Sequence, residues 1–124
     1  MSSTRKTLKI LSFILVALAV VLLVFDVNQV MVADATMDYV AVVCTFACFA
    51  LDLFLCAKGI GAANRPSKAA EMTTVSVVSC VINAASTVIW AVVGVTAALL
   101  PAVNAILVCV FTFVAYAVRK EALK

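Results

Sequence analysis

Histidine is absent from this 124-residue chain, glycine occurs three times, proline twice, and only 12% of the residues are charged. Each shortage removes a class of function. Without histidine there is no imidazole general base and no imidazole metal ligand. Three glycines cannot build the glycine-rich loops that cradle nucleotide phosphates. A charged fraction about half that of an ordinary soluble domain leaves too little polar surface to cover one. No nucleophile–base pair and no carboxylate pair stands out, so no catalytic residue, metal or cofactor is expected and the chain reads as a non-enzyme.

What abounds is apolar surface: 67% hydrophobic residues and a mean hydropathy of +1.27. Lipid must cover what the chain cannot bury itself. A spanning helix needs about 20 apolar residues, and the sequence holds four such runs, near 7–27, 38–58, 72–93 and 97–118. The expected fold class is all-α, a four-helix transmembrane bundle in up-down-up-down order forming a single domain over 1–124.

All nine basic residues lie outside the apolar cores of these runs, Ile10 to Phe25, Tyr39 to Ala57, Thr74 to Val93 and Ala97 to Val118, and they fall in three places only. Arg5, Lys6 and Lys9 precede run one, Lys58, Arg65 and Lys68 separate runs two and three, and Arg119, Lys120 and Lys124 follow run four. The other two connections carry no base, and Asp26, Asp34 and Asp38 are read as part of the first of them. The positive-inside rule then places both termini and the middle connection in the cytoplasm of a cell-membrane protein. The net charge of +3 reflects juxtamembrane anchors facing anionic inner-leaflet lipid rather than a nucleic-acid surface. Ala33-Asp34-Ala35 after a basic, apolar start imitates a secretory cleavage site. The apolar core is longer than a usual signal core, so run one is read as a retained span.

Local signals bound the helices. Gly59 or Gly61 is expected to end helix two, with Lys58 suiting its negative dipole end. Pro66 should break the chain, Ser67 should cap helix three, and Glu71 should fall in its first turns. Helices three and four should meet in a tight turn at Gly94 to Thr96, with Thr96 capping helix four and Pro101 bending its start.

The five cysteines, Cys44, Cys48, Cys56, Cys80 and Cys109, all fall in apolar runs and no pair has C-x-x-C spacing, so they read as packing residues. Asp52 reads as the one ionisable residue deep in a span, six positions before Lys58 and therefore about 9 Å from the helix end. An aspartate at that depth must point into the bundle or be neutral.

Spacing supplies the surroundings. Ser76, Ser79, Asn83, Ser86 and Trp90 recur at 3, 4, 3 and 4 in helix three, Ala41, Thr45, Cys48 and Asp52 at 4, 3 and 4 in helix two. Pro101, Asn104, Val108, Thr112 and Ala115 form a similar row in helix four. Asp52, Asn83, Ser79, Thr112 and Asn104 are thus the expected interior polar site, with Asp52 level with Ser79 and Thr112. Helix one shows no such row and is expected to be peripheral. The site reads either as small and hydroxyl residues that let helices approach and hydrogen-bond, or as a proton or cation pathway.

The stretch Gly59 to Lys68 is the most individual part of the chain. Lys58, Asn64, Arg65 and Lys68 are the expected contacts for lipid headgroups, either as basic anchors around a tight turn or with backbone N–H groups cradling phosphate. Gly61-Ala62-Ala63-Asn64 with Pro66-Ser67-Lys68, set between the second and third of four spans, resembles a turn in small uncharacterised four-span bacterial membrane proteins. The resemblance implies a membrane bundle and brings no activity with it. The partners expected are membrane lipids and further copies of the chain or a larger membrane complex.

Overall fold

A computed structural model describes residues 2–94 and 96–123. Val95 of the expected tight turn and Lys124 of the C-terminal basic trio lie outside the described residues, as does Met1. The described chain is helical, without a strand: α1 (Ser3–Val32), α2 (Thr36–Asn64), α3 (Ala69–Val93) and α4 (Leu99–Leu123). Short 3-10 turns, Pro66–Lys68 and Thr96–Ala98, precede α3 and α4.

The helices contain 30, 29, 25 and 25 residues. At 1.5 Å per residue each exceeds the roughly 30 Å of a bilayer's hydrocarbon core. All four are long and apolar enough to cross a membrane. They outrun the apolar stretches because hydropathy marks only the part that lipid must cover, whereas backbone hydrogen bonding continues into the polar flanks. Asp26 is accordingly inside α1, not in a connection, and Asp38 caps α2 by accepting from the N–H groups of Asp34 and Ala35 at 3.3 and 3.2 Å.

Three expected boundaries are corrected. Helix α2 runs through Gly59 and Gly61 and ends at Asn64, where Arg65 takes the cap position. Its last carbonyls are satisfied from outside the helix: the Arg5 guanidinium donates to the Ala63 and Asn64 oxygens at 2.6 and 3.0 Å. No glycine terminus is needed when a side chain satisfies those groups. Ser67 sits inside the first 3-10 turn, and Lys68 takes the N-cap position of α3 without a side-chain cap bond; Glu71 does fall in the first turn of α3. Thr96 opens a 3-10 turn three residues before α4.

Helix α1 is not peripheral. It packs along α2 and also touches α4. Leu8, Ser12, Leu15, Ala19, Leu22 and Asp26 are buried at spacings of 4, 3, 4, 3 and 4, the same alternation found on the other helices. The row is hard to see because run one is apolar on every side. Elsewhere the helices neighbour one another as α2 with α3 and α3 with α4.

Two apolar clusters fill the interior. One gathers Leu8, Leu11, Leu15, Leu55, Ala62, Met72, Val108, Phe111, Ala115 and Val118 near the chain termini. The other gathers Ala41, Val42, Trp90 and Ala98, with Phe25 and Ile89 against them, near the α1–α2 and α3–α4 connections. Around the outside, large apolar side chains on every helix are exposed, among them Phe13, Val43, Val81 and Phe113.

Gly59 lies where α1, α2 and α4 converge. A Cβ there would overlap the Ser12 hydroxyl and come within 2.8 Å of the Phe111 ring, whereas one at Gly61 would meet nothing within 4 Å. Gly59→Ala should therefore lose about 1–3 kcal/mol through overpacking. Gly61→Ala should be neutral or gain about 0.5–1 kcal/mol by relieving a helical glycine. Thermal unfolding of both variants in one detergent, followed by helical circular dichroism, checks the sign of this difference.

Candidate functional site

Between the two apolar clusters lies a polar layer assembled from the three rows. Every member of the α3 row, Ser76, Ser79, Asn83, Ser86 and Trp90, is buried, as are Ala41, Thr45, Cys48 and Asp52 of α2. The 3–4 alternation brings these residues to the interior because a helix offers the same face every seven residues.

Asp52 is fully buried. Its Oδ1 accepts from the Asn104 amide nitrogen at 3.4 Å, and that same nitrogen donates to Asn83 Oδ1 at 2.5 Å. Asn83 in turn donates to the Ser79 carbonyl and hydroxyl oxygens at 2.8 and 3.2 Å, staying on its own helix. Four of the five expected site residues, Asp52, Asn104, Asn83 and Ser79, thus form one chain of hydrogen bonds through α2, α4 and α3.

Thr112 does not join them. It bonds Ser76 and receives a 3.1 Å contact from the Cys80 sulfur, both on α3, and donates to the Val108 carbonyl at 2.8 Å. The row on α4 continues from Val108 to Phe111 rather than Thr112, because after a step of four the next inward position is three residues on. Phe111 is buried there and Thr112 only half-buried. Counting depth inward from the helix ends likewise set Asp52 level with Ser79 and Thr112. The observed partner is Asn104, because the helices are longer than their apolar runs and the counts began at the wrong ends.

A second polar contact holds the other end of the same rows. The Trp90 indole N–H donates to the Thr45 hydroxyl at 2.5 Å, and Phe25 of α1 packs edge-on against the indole with ring centroids 5.1 Å apart. Among the described residues, four buried side-chain oxygens have no hydrogen-bond partner: Asp52 Oδ2, Asn104 Oδ1, Ser86 Oγ and Asp26 Oδ1. Three of the four belong to the rows just described. Asp26, expected from the sequence in the first connection, is a titratable residue buried within α1. The signal that would have found it was its spacing of four from Leu22 and seven from Ala19.

The expected headgroup residues lie together at the α2–α3 connection. Lys58 pairs with Glu71 at 3.6 Å and extends over the Phe54 ring, 5.5 Å from its centroid. Lys58, Lys68 and Glu71 line a groove of about 340 Å³ with Ala57 and Gly61. Asn64 and Arg65 are exposed. The glycines are helical, and the Arg65 and Lys68 N–H groups donate to the Gly61 and Arg65 carbonyls at 2.8 and 3.0 Å. Those two amides are therefore not free to meet a phosphate.

Four crossing-length apolar helices around a polar interior define a small multi-pass integral membrane protein. Comparison with protein-family models, with curated proteins and with solved structures finds no match for the chain.

Replacing Ser79 and Asn83 together by Leu removes the donor and acceptor at the middle of the chain and puts apolar bulk at two buried positions. Each lost bond costs about 0.6 kcal/mol in a membrane interior, and overpacking adds about 1–3 kcal/mol. The same change at Val77 and Val81, which are 50% and 66% exposed, should cost far less. Unfolding midpoints in detergent compare the pairs, and equal losses would remove the polar row as an interhelical contact.

Proposed function

We propose that this protein is a non-enzymatic membrane component, a scaffold, accessory subunit or homo-oligomer, whose polar interior fixes the arrangement of its helices. One observation supports this most directly: the Asp52 carboxylate, Asn104 and Asn83 are bonded to one another, and the five surface grooves described are lined by other residues. A carboxyl group sealed among amides clasps helices. The apolar residues exposed all around the bundle then face lipid or other membrane chains.

In this reading the helices alternate in direction, with both termini and the basic α2–α3 connection in the cytoplasm. The ties between Arg5 and the end of α2, and between Ser2 and Glu121 at 3.2 Å, support one shared end for those segments. Lys58, Asn64, Arg65 and Lys68 then meet the anionic inner leaflet, where each basic residue contributes about 1 kcal/mol to lipid attraction.

A second reading rests on the oxygens left open. Asp52 Oδ2, Asn104 Oδ1 and Ser86 Oγ are buried acceptors without donors, and a proton or small cation supplies what they lack. The protein is then a proton- or cation-coupled transporter or channel with Asp52 as the charge-changing group.

Orientation is checked by cysteine labelling. With the five native cysteines replaced, Asp34→Cys should react with an impermeant thiol reagent on intact cells and Ser67→Cys only after permeabilisation; the opposite result reverses the topology.

Asp52→Asn separates the two functions. It retains an acceptor for the Asn104 amide and adds a donor, so the clasp reading expects near-normal unfolding and assembly. Asp52→Leu leaves one Asn104 N–H without its acceptor, while the other keeps its bond to Asn83, and should cost about 1–3 kcal/mol. The transport reading expects Asp52→Asn to fold normally yet lose pH-dependent flux in reconstituted vesicles, with Asp52→Glu partly active. A wild-type protein that moves no ion at any pH, matched in stability by Asp52→Asn, leaves the clasp alone standing.

A further inference from the structure

We infer that the cleft between α1 and α2 beside their connection binds a hydrophobic organic cation, an ammonium or phosphonium on an apolar body, with Asp26 as its counter-charge. This site is separate from the Asp52 network and does not depend on which role that network has.

The cleft has a volume of about 490 Å³ and is lined by Leu23, Asp26, Val27, Val30, Met31, Val42, Val43 and Phe46. That volume falls within the range of small-molecule sites, about 300–1,000 Å³, and such sites are mostly apolar with a few polar groups that orient the ligand. Here the polar group is a single carboxyl. Asp26 is only 5% exposed, and its Oδ1 is buried without a hydrogen-bond partner. A carboxylate in that state lacks a donor or a positive charge, and leaving it so is costly.

The chain does not supply the missing charge. The preceding base in the sequence, Lys9, is 17 residues back along the same helix, about 25 Å at 1.5 Å per residue. The connections at this end of the bundle carry no Lys or Arg, whereas Asp34 and Asp38 stand on the α1–α2 connection and on the first turn of α2. The local field is therefore negative, and the cation that completes the site comes from outside.

The other walls set the ligand's body. Phe46 offers an aromatic face, which attracts an organic cation through its ring quadrupole. Met31 is 78% exposed at the rim and is unbranched and adaptable in shape. A strongly hydrated metal ion would find one carboxyl and no further oxygen ligands among these side chains. A weakly hydrated cation that brings its own apolar surface fits both features.

Tetraphenylphosphonium is the probe. Its binding to the intact protein in detergent, measured by equilibrium dialysis, should be saturable with one site. The same titration should change the emission of Trp90, the chain's single tryptophan, which packs against Phe25 next to Asp26. Tetraphenylborate, of matching size and opposite charge, should show no saturable phase. Asp26→Asn should weaken binding by about tenfold or more, as expected for removing one charge of a desolvated pair. Asp34→Asn, which changes the charge at the same end outside the cleft, should bind within about twofold of wild type. Val43→Phe narrows the cleft at unchanged charge and should weaken binding several-fold; it decides the matter if Asp26→Asn does not elute as wild type on size exclusion. Equal affinity in Asp26→Asn, or saturable binding of the borate, overturns the proposal. So does loss of saturable binding when the protein is moved from phosphatidylglycerol to phosphatidylethanolamine vesicles, because the occupant is then a lipid ammonium headgroup rather than a free cation.

Discussion

A helix immersed in hydrocarbon gains little by burying leucine against leucine, because lipid tails offer the same contact. Helices in such a solvent are positioned by close backbone approach and by polar groups that have no other partner. In this bundle that constraint is met at one level, where Asp52, Asn104 and Asn83 bond across three helices. A shift of any one helix by a single residue would turn its polar side chain away and leave an amide or carboxyl unpaired. Register is thus specified by a few atoms, not by the much larger apolar area around them.

The rest of the interior arranges itself about that layer. Toward the termini Gly59 lets α1 and α4 come against α2, so that Ser12 and Phe111 occupy the space a side chain would have taken. Ser12 satisfies itself on the Leu8 carbonyl at 2.9 Å and asks for nothing across the interface. Arg5 then ties the start of α1 to the end of α2. Toward the connections Trp90 spans the bundle, bonded to Thr45 on α2 and packed edge-on with Phe25 of α1. Each end therefore has its own tie, and the polar layer sets the height at which both are made.

How much of this could be read beforehand follows from contrast. Serine, asparagine and aspartate stand out against apolar helices, so the rows on α2 and α3 were legible and all their members are buried. Helix one was illegible because its inward face is leucine and alanine like its outward one; only Ser12 and Asp26 mark it, and Asp26 reads as loop when hydropathy is used to end the helix. Thr112 was misplaced by one position because a polar residue drew the row away from Phe111. Gly59 and Gly61 read as a helix end since glycine often is one. The long-range bond from Arg5 that satisfies the true end is a tertiary contact, which no local pattern contains.

Asp26 and Asp52 are the same residue type, both buried, and each keeps one oxygen without a partner. Their surroundings nonetheless give them different capacities. Asp52 is fully buried with Asn104 bonded to its carboxyl and lines none of the grooves described, so what completes it must be as small as a proton or a bare ion. Asp26 has leucine, valine and phenylalanine about it and borders an open cleft, so a bulky molecule seated in that cleft lies beside the carboxyl without parting the helices. Burial and an unmet bond are thus common to a structural clasp and a binding site. What distinguishes them is the route by which the missing partner arrives, and that route is set by the volume beside the carboxyl and not by the carboxyl itself.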